Sequence, residues 1–118
     1  MKQLIIFLSI IICSTSLLAQ DKKKDIVTEA YLVSGNCGEC EERIEKAAYV
    51  KGVKRAEWDK KTKMLTVTYR PSKTSKEHIL KSVADSGHDS EGFTAKEEDY
   101  SKLPACCLYR TGTCSEDK

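Results

Sequence analysis

The run from Leu65 to Arg70 constrains the fold most. Leu65, Val67 and Tyr69 alternate with Thr66, Thr68 and Arg70, the period of a strand with one face on a core and the other in water. Just upstream, Val53 to Asp59 sets Ala56 and Trp58 on one face, and Lys60 to Lys63 is a polar turn. The two segments predict an antiparallel hairpin. A lone hairpin is marginal in water, so the flanking segments must cover its apolar face.

Those segments change period in a regular order. Ile26 to Val33 is β-branched and aromatic, with Val27, Tyr31 and Val33 on one face and Thr28, Ala30 and Leu32 on the other. From about Cys37 to Val50 the apolar residues Cys40, Ile44, Ala47 and Ala48 recur at helical spacing, and Glu41, Glu42, Glu45 and Lys46 face mostly outward. Asn36 or Cys37 is the expected N-cap, with Glu39, Glu41 and Glu42 early in the helix where negative charge suits its dipole. After Pro71, Thr74-Ser75-Lys76-Glu77 has the form of a capping box. A second helix follows, burying Ile79, Leu80 and Val83 and ending at Gly87, and His88 to Thr94 is read as a short last strand. Strand, helix, strand, strand, helix, strand is the ferredoxin-like split βαβ arrangement, an α+β fold with two helices on one face of a four-stranded antiparallel sheet. The expected core is Val33, Ile44, Ala47, Val53, Leu65, Val67, Ile79 and Val83.

Chemistry concentrates in Ser34-Gly35-Asn36-Cys37-Gly38-Glu39-Cys40, where the first strand turns into the first helix. Two thiols three positions apart can aim at one ion, and a helix start favours the thiolate. Soft sulfur selects Cu(I), Zn(II) or Hg(II) over hard ions. Two sulfurs suit a nearly linear Cu(I) or Hg(II), whereas Zn(II) would draw on further ligands. Taken alone, the pair serves metal binding, thiol–disulfide exchange or a structural bridge equally well.

The run Val33-Ser34-Gly35-Asn36-Cys37-Gly38-Glu39-Cys40, followed by Ile44-Glu45-Lys46-Ala47, Gly52-Val53, the Leu65/Val67/Tyr69 strand, Ile79, Val83 and Gly87, resembles the heavy-metal-associated domain of copper chaperones, copper-exporting ATPases and periplasmic mercury-binding proteins. The likeness covers roughly residues 26 to 93 and implies the split βαβ fold. It also implies that Cys37 and Cys40 are the two metal ligands. The family usually has Gly-Met-X-Cys ahead of the first ligand, its methionine anchoring the loop from beneath; Gly35-Asn36-Cys37 lacks that methionine and is one residue shorter. His88 falls in the loop that lies close to the metal in this family, as a third ligand, a hydrogen-bonding neighbour of the thiolates, or a solvent-exposed turn residue. His78 is read as a surface residue.

Residues 95–118 break the domain pattern and are read as a Cys-rich tail, partly helical at most. Adjacent cysteines rarely bridge each other without strain, so Cys106, Cys107 and Cys114 are candidate ligands, either in a second thiolate cluster or folding back on Cys37 and Cys40. The alternative is a disulfide from Cys106 or Cys107 to Cys114.

The N-terminus reads as an address. Lys2, the apolar run Leu4 to Ile12 and Leu17-Leu18-Ala19 have the form of a signal peptide over residues 1–19, cleaved before Gln20. Residues 20–25 are a charged leader and residues 26–94 the domain. Lipidation at Cys13 is the alternative, disfavoured by the large Ile12 before it. The run is short of the roughly 20 apolar residues a membrane helix needs, so no stable membrane insertion is expected after cleavage. Once Cys13 is removed an odd number of cysteines remains, although export predicts paired ones. With 20 Lys and Arg against 18 Asp and Glu, there is no basic stripe of the kind nucleic acid requires. The sequence therefore predicts a monomeric, non-enzymatic, periplasmic or secreted carrier that passes Cu(I) to a transporter or efflux component. Hg(II) capture and thiol–disulfide oxidoreductase activity are the alternatives.

Overall fold

A computed structural model describes residues 25–111; the segment read as a signal peptide, Cys13 and Cys114 lie outside the described residues. In chain order the elements are β1 (Val27–Leu32), α1 (Gly38–Ala48), β2 (Val53–Trp58), β3 (Met64–Tyr69), α2 (Lys76–Asp85), α3 (Glu97–Tyr100) and a 3₁₀ turn over Ala105–Cys107. The sheet order is β1-β3-β2. Both outer strands are antiparallel to β3, so β1 and β2 run parallel with β3 inserted between them, which makes β1–α1–β2 a split βαβ unit.

The alternation read from the sequence sets the buried face. Leu65, Val67 and Tyr69 of β3 are buried, opposite Tyr31 of β1 and Ala56 and Trp58 of β2. Helix α1 buries Cys40, Ile44 and Ala48, one turn apart, and α2 buries Ile79, Leu80, Val83 and Ala84. These residues form one core, with Ala47 and Val53 only partly buried at its margin. Among the described residues no helix is long and apolar enough to cross a membrane.

The expected capping box shifts by one residue. Ser75, not Thr74, is the N-cap of α2, its hydroxyl accepting from the His78 N–H at 3.1 Å. The turn after Pro71 runs on far enough for Arg70 O to take the Thr74 N–H at 3.0 Å, so Thr74 still belongs to the turn. Its buried hydroxyl has no hydrogen-bond partner. At the other end Gly87 takes the left-handed conformation, φ +106°, as a C′ glycine should.

The fourth strand is a correction. His88 to Thr94 yields only isolated bridges, Val33 with Ser90 and Ser90 with Phe93, and the described sheet has three strands. The segment meets the end of β1 through Ser34 N–H to Asp89 O and Glu91 N–H to Leu32 O. It then doubles back at Gly92, φ +85°, with Ser90 and Phe93 bonded to each other. The Asp89 carboxylate takes the Ala95 N–H at 2.8 Å, and the strand direction is lost.

Residues 95–111 pack on the domain. Tyr100, Leu103 and Cys107 join the same core, and a Cβ on Gly87 would lie 2.9 Å from both Asp99 O and Leu103 Cδ2. Arg110 grips Asp89 through Nη2 at 2.7 Å and Nε at 3.3 Å, and also reaches Ala95 O and Glu97.

The shifted cap predicts unequal effects of neighbouring substitutions. Ser75→Ala should lower unfolding free energy by about 1 kcal/mol. Thr74→Val, which removes an unpaired buried hydroxyl at similar volume, should be neutral or stabilising; chemical denaturation of both variants measures the difference.

Candidate metal centre

The thiol loop is built on Trp58. Its indole N–H donates to Val33 O at 3.0 Å, and Gly35 lies so close above the ring that a Cβ there would be 3.0 Å from Trp58 Cη2 and Cζ2 and 3.1 Å from Cys40 Cβ. Any side chain at position 35 would require the indole or Cys40 to give by a few tenths of an ångström. The indole supports the loop from below, in a chain that has no methionine between Gly35 and Cys37.

Cys37 caps α1 with extended backbone, and its carbonyl accepts the first helical bond, from Glu41 N–H. One helical turn on, Cys40 is fully buried beneath it. Their sulfurs lie 3.5 Å apart. The 3₁₀ turn brings Cys107, also fully buried, to 3.6 Å from Cys37 Sγ. Ligand atoms of Cys37, Cys40 and Cys107 all fall within 4.8 Å of one another, and those of Glu39, Cys106 and Cys107 do the same. Arg43, one turn after Cys40 on α1, donates from Nη1 to Cys107 Sγ at 3.3 Å.

The electrostatics separate these thiols. Burial works to raise Cys37, but the backbone N–H of Cys40 and hydrogen bonds with the Cys40, Cys107 and Cys106 side chains outweigh it and lower the thiol to about 7. Cys106 donates to Glu39 at 3.1 Å, and that carboxylate, with some burial, pushes its thiol up to about 12. Burial, then the Cys40 and Cys37 sulfurs, raise Cys107 against the Arg43 donor. The four described cysteines are free thiols. An open groove beside Cys37 and Cys106 runs along α1 past Glu39, Glu41, Glu42 and Glu45.

His88 belongs to neither ligand group. It is fully buried, with Nδ1 2.8 Å from Ser34 O and its ring stacked on Tyr109 at 5.5 Å between centroids. The carbonyl can only accept, so Nδ1 carries the hydrogen; Nε2 is buried without a partner. Burial holds this imidazole below its ordinary range, against the Ser34 carbonyl. Tyr109 is the clasp of the tail: its hydroxyl accepts from Asp89 N–H and donates to Gly87 O, both at 2.8 Å. His78 is exposed.

Sequence reading missed Trp58, Arg43 and Tyr109 as parts of this site. Arg43 follows Cys40 by three residues, the spacing that puts two side chains on one helix face, and this was the available signal. Nothing local announced Tyr109.

No family model and no curated protein matches the sequence, whereas solved structures do. A split βαβ unit with paired thiols opening its first helix defines the class of fold and site, and in both this chain is similar to solved heavy-metal-associated domains of copper chaperones and copper-transporting ATPases. The "CopZ metallochaperone" is 27% identical, with TM-score 0.53 over 55% of this chain and 100% of that one. A copper-binding domain from HMA7, a P-type ATPase, is 26% identical, with TM-score 0.52 over 54% of this chain and 89% of its own. The N-terminal domain of a potential copper-translocating P-type ATPase from Bacillus subtilis, solved in its Cu(I)-loaded state, is also 26% identical, with TM-score 0.52 over 54% of this chain and 82% of that one.

The thiols should titrate apart. As pH rises through 7 the Cys37 thiolate forms and its alkylation by iodoacetamide accelerates, while Cys106 remains protonated toward about 12. Mass mapping of the metal-free reduced protein at pH 8 should find Cys37 labelled first, with a rate profile centred near pH 7.

Proposed function

We propose that this protein is an exported, non-enzymatic carrier of a soft metal ion, Cu(I) before Hg(II), which holds the ion between Cys37 and Cys40 and releases it to a transporter or efflux partner by ligand exchange. One observation carries the reading: two sulfurs 3.5 Å apart at the start of α1, one of them with its thiol lowered to about 7, on a domain similar to copper chaperones. A thiol already near half-ionised at neutral pH gives up its proton to a metal at little cost. Sulfur donors without a fixed ring of hard oxygens select for Cu(I).

A transporter as recipient is supported by the likeness to two P-type ATPase domains. Export is supported by the sequence from Met1 to Gln20. The glutamates flanking the groove along α1 suit a basic partner surface, which would steer encounter more than it strengthens the complex. Carriage of the ion needs no oxidation or reduction.

The test is a titration of reduced protein with Cu(I) against a competing chelator. Tight binding of one equivalent is expected, and it should be lost in a Cys37→Ser, Cys40→Ser double variant. An undiminished affinity in that variant would sink the reading. Rapid reduction of insulin by the protein would favour the oxidoreductase instead.

A further inference from the structure

Resting on that reading, we propose that the metal site is a three-sulfur site: Cys107, brought in by the C-terminal turn, is a full ligand beside Cys37 and Cys40, and Arg43 offsets part of the charge of the assembled thiolates.

The sulfur spacing favours three ligands over two. With a metal–thiolate distance of about 2.3 Å, an ion held in line by two sulfurs needs them about 4.6 Å apart, and three sulfurs around an ion in one plane sit about 4.0 Å apart. Cys37 Sγ lies 3.5 Å from Cys40 Sγ and 3.6 Å from Cys107 Sγ, with all three inside a 4.8 Å limit. Opening the two Cys37 sides of this triangle to the planar spacing takes roughly half an ångström or less. Opening the Cys37–Cys40 pair to a linear site takes about 1 Å, at a loop that Trp58 supports and beside a fully buried Cys40.

Charge points the same way. Three thiolates around one Cu(I) leave two negative charges in a buried place, an arrangement that costs heavily unless a cation is paired with it. Arg43 is that cation, its Nη1 set 3.3 Å from Cys107 Sγ. It reaches the sulfur that lies outside the helix-start pair.

The position of Cys107 is enforced from outside the thiols. Its N–H is bonded to Pro104 O, Tyr109 ties the following turn to Gly87 and Asp89, and Arg110 holds Asp89. Cys106, its immediate neighbour, turns instead to Glu39 at the rim. On loading, each S–H that becomes a sulfur–metal bond gives its proton to solvent. Copper stays Cu(I) throughout, so no oxidant or reductant enters.

X-ray absorption on the protein loaded with one equivalent of Cu(I), all thiols reduced, reads the coordination number directly. Three sulfur neighbours are expected for the natural sequence. In Cys107→Ser and Cys107→Ala the count should fall to two with a shortened mean Cu–S distance, and Cu(I) should be held about tenfold or more weaker, a loss at the scale of removing even an outer partner of a metal ligand. Arg43→Gln should keep three sulfurs and weaken binding less. Two sulfurs in the natural protein, with Cys107→Ser unchanged in affinity, would overturn this inference and leave the two-cysteine carrier standing, as would copper bound as a cluster of several ions. Failure of the natural protein to hold Cu(I) at all would overturn the carrier reading and this inference together. The natural-sequence measurement needs no variant to fold.

Discussion

The hydrogen bond from the Trp58 indole to Val33 O is the contact on which the site depends. It fastens the end of β2 to the end of β1 across β3, and it leaves the flat ring under the loop that carries Cys37. Gly35 can approach that ring only because it has no side chain, and the approach delivers Cys37 to the start of α1. A buried donor of this kind is costly to strand. Loop position is therefore tied to the ends of β1 and β2, and it is from there that Cys37 and Cys40 are presented.

A second constraint acts from the far end of the chain. Asp89 accepts two bonds from Arg110 and one from Ala95 N–H, while its own N–H goes to Tyr109. Burial works to raise this carboxyl, and the Arg110 guanidinium with the Ala95 N–H more than offsets it. The same hydrogen-bonding capacity that might have extended the sheet is spent on seating the tail. Loss of the fourth strand and arrival of Cys107 are two sides of one rearrangement.

What was legible in the sequence was what is written locally. The Leu65/Val67/Tyr69 alternation, the Cys40/Ile44/Ala48 helix stripe and the glycine at 87 each report a backbone period or a φ angle that neighbouring residues decide. The capping box slipped by one residue because Arg70 O competes for the Thr74 N–H, a bond made to the preceding strand's end. His88 to Thr94 looked extended because Asp89 and Gly92 were not weighed as turn residues. The seat of Cys107 depends on Tyr109, Arg110 and Leu103 meeting Gly87 and Asp89 about twenty residues away, and no period encodes such meetings. His88 was legible as a neighbour of the loop. Its partners, Ser34 O and the Tyr109 ring, were not.

The turn over Ala105–Cys107 closes a span of seventy residues back onto Cys37, yet it is a single turn, seated by Leu103 before it and by Tyr109 and Arg110 after it. Protein segments can open locally at free energies below that of global unfolding. Lifting this turn would draw Cys107 away from Cys37 without breaking any strand pairing of the sheet. A path for exchange at Cys107 would then be set by this one turn, separately from the stability of the sheet.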